Sequence, residues 1–339
     1  LKILKQQLEA GHVEKRRTAS LRAMKRKRAY LYGGIAGLLI LLSVIGFYYL
    51  MPQRDAIDSV AVLPFVNASA NPEAEYLSGG ISESLIRSLS QLPRLKVMSF
   101  SVVSRYKDEA TDAQAIGRKL EVQAVLVGRV TQRDETLSIS VELVDVTDNR
   151  HIWGEQYRRK LSDLLLVQDE ITEAIAKKLQ PSLTGEEKKR LAKRYTPNTE
   201  AHQLYLKGRF HIAKYTKEGF EKGLSYFHQA VAKDPNYALA YDGLAYYYSN
   251  ALEWIMSPKE AQPQAKEAAK KALALDETLA EAHASLGAVY FLHDWDWPGA
   301  EREFNRAIQL NPNYATTYQY YAQYWVARGR MDEALAVLK

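Results

Sequence analysis

The 339-residue chain has no cysteine, which excludes disulfides, thiol nucleophiles and cysteine-held metals together. It also lacks the short motifs of common catalytic chemistry. There is no G-x-x-x-x-G-K-[ST] phosphate loop, no G-x-S-x-G elbow, no H-E-x-x-H zinc pair, no EF-hand loop, and neither H-R-D nor D-F-G. Histidines number only seven. The run His293-Asp294-Trp295-Asp296 reads as a polar turn between two helices rather than a metal cluster, and His151, just before Trp153, as a strand residue. The expectation is a segment with no catalytic, cofactor-binding or metal-binding residues and no cofactor of its own.

Basic charge is also scarce over most of the chain, although the net charge is +6 and the pI about 9.1. Ten Lys/Arg fall within residues 1–28 against Glu9 and Glu14, so this stub carries +8 and the remaining 311 residues carry −2. The basic signal sits in one place and peaks at Lys25, Arg26, Lys27 and Arg28. Such a cluster suits anionic lipid headgroups. No nucleic acid contact is expected of this segment.

Tyr30 to Met51, immediately after the cluster, is a run without charge. At about 1.5 Å per residue its 22 residues reach roughly 33 Å as a helix, enough for a hydrocarbon core about 30 Å thick. A secretory signal would be shorter and end in small residues, which Tyr48 to Gln53 do not supply; a buried core helix is the other competitor. The cations before the run, with Arg54 alone soon after it, predict a single span with the amino end cytoplasmic. Gly33-x-x-x-Gly37 offers a close-packing face for a homodimer. The chain begins without Met and stops inside a helical pattern, so it reads as part of something longer.

Residues 58–180 switch between periods of 2 and 3.6, which predicts an α+β domain with a mixed sheet and helices. Strands are expected at 59–65, 95–99, 124–132, 136–146 and 151–158, and helices at 75–91, 113–120 and 161–179, with a hairpin turn at Arg133-Asp134-Glu135. Residues 181–197 read as a linker. Beyond them the chain repeats. Phe227-x-x-Ala230-x-x-x-x-Pro235 recurs as Phe304-x-x-Ala307-x-x-x-x-Pro312 and, more weakly, as Ala269-x-x-Ala272-x-x-x-x-Glu277. Tyr241-x-x-Leu244-Ala245-x-x-Tyr248 recurs at His283–Tyr290 and Tyr318–Trp325. The turn positions lie 42 and 35 residues apart, which places an insertion around Trp254 to Pro263.

These residues carry two resemblances. The second half resembles tetratricopeptide repeats, which implies an all-α solenoid over 198–339 with three complete units and a truncated fourth. Gly208, Ala245, Gly287 and Ala322 would let paired helices approach. Most of the 22 tyrosines would fill packing positions, leaving Tyr205, Arg209, Asp242 and Tyr246 to line a groove for a protein or peptide ligand. Val60-Ala-Val-Leu-Pro-Phe65, Tyr76-Leu-Ser-Gly-Gly-Ile-Ser-Glu-Ser-Leu85, Val127-Gly-Arg-Val130 and His151-Ile-Trp-Gly-Glu-Gln-Tyr157 resemble the TolB-amino-terminal-like domain, with Gly79 departing from an acidic residue usual in that pattern.

In bacterial membrane proteins of this arrangement, that domain follows one inner-membrane span and precedes the repeats. The resemblance therefore implies extracytoplasmic carboxyl-terminal domains. Residues 1–11 resemble the linker after the catalytic domain of membrane-anchored serine/threonine kinases. That implies the non-catalytic sensing half of such a kinase; a winged-helix regulator and a free-standing envelope scaffold are the alternatives.

Overall fold

A computed structural model describes residues 42–43, 57–69, 71–107, 112–251 and 255–338. The basic cluster Lys25–Arg28 and the predicted span, apart from Leu42 and Ser43, lie outside the described residues. Among the described residues no helix is long and apolar enough to cross a membrane. Residues 56–339 form one compact unit.

The sheet starts at β1 (Ser59–Val62), every residue of which is buried. It runs parallel to β3 (Lys96–Val97) on one side and to β4 (Ala124–Arg133) on the other. A central parallel strand is covered on both faces, which is why Val60-Ala-Val-Leu63 is continuously apolar rather than alternating. β4 pairs antiparallel with β5 (Thr136–Asp145), Arg133 facing Thr136 across Asp134-Glu135, and Asp134 adopts φ 50° to close the turn. In β5, Leu137, Ile139, Val141 and Leu143 are buried while Ser140 and Glu142 are exposed. β6 (Arg150–Lys160) adds the outer strand, with an irregularity where Leu143 and Val144 face Trp153 and His151. A two-residue strand, β2 (Val66–Asn67), also joins β4 in parallel.

Helix α1 (Glu75–Leu89) buries Leu77, Ile81, Leu85 and Leu89, a row repeating every four residues. Ser82 Oγ accepts from Phe65 N at 3.0 Å and donates toward Leu63 O at 3.1 Å, tying α1 to the end of β1. Next come α2 (Phe100–Val103), α3 (Ala113–Lys119) and α4 (Leu164–Leu179). The segment expected to be a linker contains α5 (Gly185–Leu191), a correction with a local cause. Thr184 and Glu187 form a reciprocal capping box, Thr184 N donating to Glu187 Oε2 at 2.7 Å and Glu187 N to Thr184 Oγ1 at 3.2 Å. The strand expected at 95–99 shortens to two residues, because Ser99 opens α2.

Among the described residues four helix pairs follow: α6 (Thr199–Ile212) with α7 (Lys217–Lys233), α8 (Ala238–Ser249) with α9 (Pro258–Leu275), α10 (Ala280–Val289) with α11 (Trp297–Leu310), and α12 (Ala315–Ala327) with α13 (Met331–Val337). Residues between pairs repeat one turn: Asp234 Oδ1, Asp276 Oδ1 and Asn311 Oδ1 each accept from the backbone N two residues on. Small residues work as expected where rings press in. A Cβ at Gly208 would lie 2.5 Å from the Phe227 ring, and one at Gly287 2.8 Å from the Phe304 ring. Of the insertion expected around Trp254 to Pro263, Trp254 lies outside the described residues, and Pro258 to Pro263 form the start of the 18-residue α9.

Candidate functional site

The first helix of each pair faces inward, and the inward wall meets α1. Gly80, Glu83 and Arg87 are spaced three and four apart and so share one face of α1, opposite its sheet-facing row. Gly80 allows the contact to close: a Cβ there would stand 3.0 Å from Leu206 Cδ1 and 3.1 Å from Leu206 Cβ on α6. Glu83 Oε1 accepts from Arg209 Nη2 at 2.6 Å. Arg87 donates from Nη2 to Tyr205 Oη at 2.7 Å and from Nε to Glu281 Oε1 at 3.1 Å, with Glu83 at 3.9 Å. Asn313 Nδ2, in the turn before α12, donates to Ser90 O and Leu95 O at 3.2 and 3.0 Å. Contacts thus run from the first repeat to the fourth.

Charges in this interface nearly cancel, two arginines against Glu83 and Glu281, and Asp242 is left over. Burial first, then the Glu281 carboxylate, pushes the Asp242 carboxyl up to about 7, against an accepted hydrogen bond from Ser285 Oγ at 2.9 Å. Burial also pushes the Tyr205 hydroxyl up to about 12. Burial acts to lower the pKa of Arg87, but Tyr205, Glu281 and Glu83 outweigh it, so Arg87 stays charged. Arg209 lies 4.9 Å from the centre of the Tyr246 ring, a cation–π contact. His202 faces Tyr237 Oη at 3.1 Å and Gln168 Oε1 at 2.9 Å; burial, then Arg87, drives its imidazole down to about 3, so it is neutral and joins α6 to α4.

Of the four groove residues expected from the sequence, Tyr205 is 1% exposed and Asp242 3%, which corrects the idea that packing leaves these two over. Tyr205 packs on Phe227 and Tyr237 and spends its hydroxyl on Arg87. Arg209 and Tyr246 border a cavity of about 460 Å³ beside α1, lined elsewhere by Phe100, Ser101, Tyr215 and Gln319. His293-Asp294-Trp295-Asp296 splits into separate tasks. Asp294 pairs with Lys266 at 2.5 Å, Asp296 caps Gly299 N at 2.9 Å, and Trp295 takes φ 58°. Among the described residues no group of three metal-ligating side chains converges.

Sequence reasoning missed Gly80, Glu83, Arg87, Glu281 and Asn313. The available signal was the pattern Gly80-x-x-Glu83-x-x-x-Arg87 along one helix face.

Residues 56–174, nearly the segment read as the α+β domain, match the family model for the HilA/YgeH-like transcriptional regulator, second domain. A Rhizobium meliloti protein named as an adenylate cyclase is 32% identical over 237 residues, covering 69% of this chain and 40% of that protein. The transcriptional regulator HilA of Salmonella typhimurium is 29% identical over 140 residues, covering 41% of this chain and 25% of HilA. The chain therefore spans well under half the length of these curated relatives. Among solved structures, the thermophilic TPR protein TTC0263 of Thermus thermophilus is 22% identical, with a TM-score of 0.35 over 52% of this chain and 79% of that one.

Proposed function

We propose that residues 56–339 are the input and protein-interaction region of a signalling protein whose output resides in a separate effector domain. The observation that carries this reading is the architecture. A helical-repeat wall, with Arg209 and Tyr246 lining its inner side, is joined to a domain that matches one from transcriptional regulators. The Rhizobium and Salmonella relatives point to nucleotide cyclases and transcription regulators as effectors, which favours the regulator alternative over the kinase suggested by residues 1–11. In this reading the groove takes a protein or peptide, Lys25–Arg28 rests on anionic lipid, and Tyr30–Met51 anchors the chain in a bacterial inner membrane with residues 56–339 outside.

Absence of cysteine makes the topology testable without background. Ser20→Cys should resist a membrane-impermeant maleimide in outer-membrane-permeabilised cells, and Ser182→Cys should react. The reverse labelling would place the repeats in the cytoplasm. Site-specific photocrosslinking from Gln319, exposed at the rim of the groove, should capture a defined protein set. Capture no different from that made at exposed Glu173, far along α4, would remove the interaction role.

A further inference from the structure

The inner wall of the repeats already holds a helix. Its recognition chemistry is specific: Leu206 presses close enough on Gly80 to favour a residue without a side chain, Arg209 takes a carboxylate three residues on, and Tyr205 with Glu281 takes a guanidinium four residues after that. These three subsites come from repeats one and three, so they read a helix laid across the wall rather than one contact point. The helix that fills them is α1 of the α+β domain. We infer that the repeat wall is a receptor for amphipathic helices of the pattern Gly-x-x-Glu-x-x-x-Arg, that α1 is its resident ligand, and that an outside helix of this pattern enters by displacing α1.

Three features support displacement. Beside the apolar seat of Gly80 on Leu206, the wall–α1 contact carries a paired polar network of Glu83, Arg87, Arg209, Tyr205, Glu281 and Asn313. Paired charges give register and partner selection more than raw affinity. The cavity of about 460 Å³ flanks α1 along Arg209 and Tyr246, room for about one turn of an incoming helix to touch the wall before α1 leaves. Finally, α1 is tethered, and a tethered ligand of modest intrinsic affinity still saturates its site through its high effective concentration. The inference rests on the reading of the repeats as a protein-binding array and adds the class of partner and its control.

The test uses the full chain and a fluorescent peptide spanning residues 72–92, free of the sheet. Wild type should bind the peptide weakly, because α1 competes. Gly80→Trp in the chain, which cannot seat against Leu206, should tighten peptide binding at least tenfold. Adding Arg209→Glu should remove that gain, and a peptide carrying Glu83→Arg should recover it.

To guard against misfolding, Glu83→Arg in the chain should raise hydrogen exchange in α1 while leaving the second helices of the repeats protected. Glu83→Arg with Arg209→Glu should return α1 to wild-type exchange. Peptide affinity unchanged by Gly80→Trp, or indifferent to the sign at position 209, overturns the inference. So does formation of α1-exchanged dimers without peptide uptake. If the peptide fails while photocrosslinking from Gln319 still captures proteins, the interaction role stands and this partner class falls.

Discussion

Asp242 gives a prediction whose size is set by its surroundings. It is buried on the inner wall near Glu281, and its carboxyl sits at about 7 instead of the usual 3.8. An acid whose folded pKa is raised favours folding while protonated. Its contribution is whole below about pH 4, declines as pH rises, and is lost once pH passes about 7. At roughly 1.4 kcal/mol per unit, the full loss is about 4 kcal/mol, of which more than half falls between pH 5 and 8. Asp242→Asn keeps an oxygen to accept from Ser285 Oγ but cannot ionise. Urea unfolding of both proteins at pH 5 and pH 8 isolates this group, because every other titration is common to the pair. The variant should gain on wild type by about 2–3 kcal/mol over that range. A difference that stays constant with pH would show that Asp242 ionises freely, and the charge count given for the interface would be wrong.

Arg87→Ala should cost about 3–5 kcal/mol, because it strands Glu281 and the Tyr205 hydroxyl without their buried partner. Arg87→Lys, which keeps the charge but not the forked geometry, should cost less in the same denaturant titration. Phe304→Ala should cost about 3–5 kcal/mol, since the ring fills the space at Gly287 and packs on Tyr321 and Tyr324. Trp295→Ala, at a side chain 68% exposed, should change the same stability by less than about 0.5 kcal/mol.

How much of the fold was legible depended on whether a signal was local. The strands and helices of the α+β domain come from period, and they fall within a few residues of expectation: α1 ends at Leu89 rather than Gln91, and β4 runs to Arg133. The repeats were legible because Phe227 and Phe304 need the glycines opposite them. α5 was missed although its capping box is written in Thr184-x-x-Glu187, since a seven-residue helix rich in Lys and Glu has no apolar stripe to reveal it. The site was half legible. Tyr205, Arg209, Asp242 and Tyr246 do lie on one wall, but what covers Tyr205 comes from some 120 residues earlier in the chain. Glu83 and Arg87 look like an ordinary solvated i, i+4 pair until the repeats close over them.

The central claim is that α1 lies on the inner wall of the repeats. The chain has no cysteine, so Gly80→Cys with Leu206→Cys introduces the only possible disulfide. The Cβ–Cβ separation built at these positions is 3.1 Å, a few tenths short of the usual disulfide range and within reach of a small shift. Mild oxidation of the purified double variant should close an intramolecular bridge nearly quantitatively, seen as a mobility shift that dithiothreitol reverses. Free thiols persisting under oxidation, or bridges only between two chains, would contradict the account.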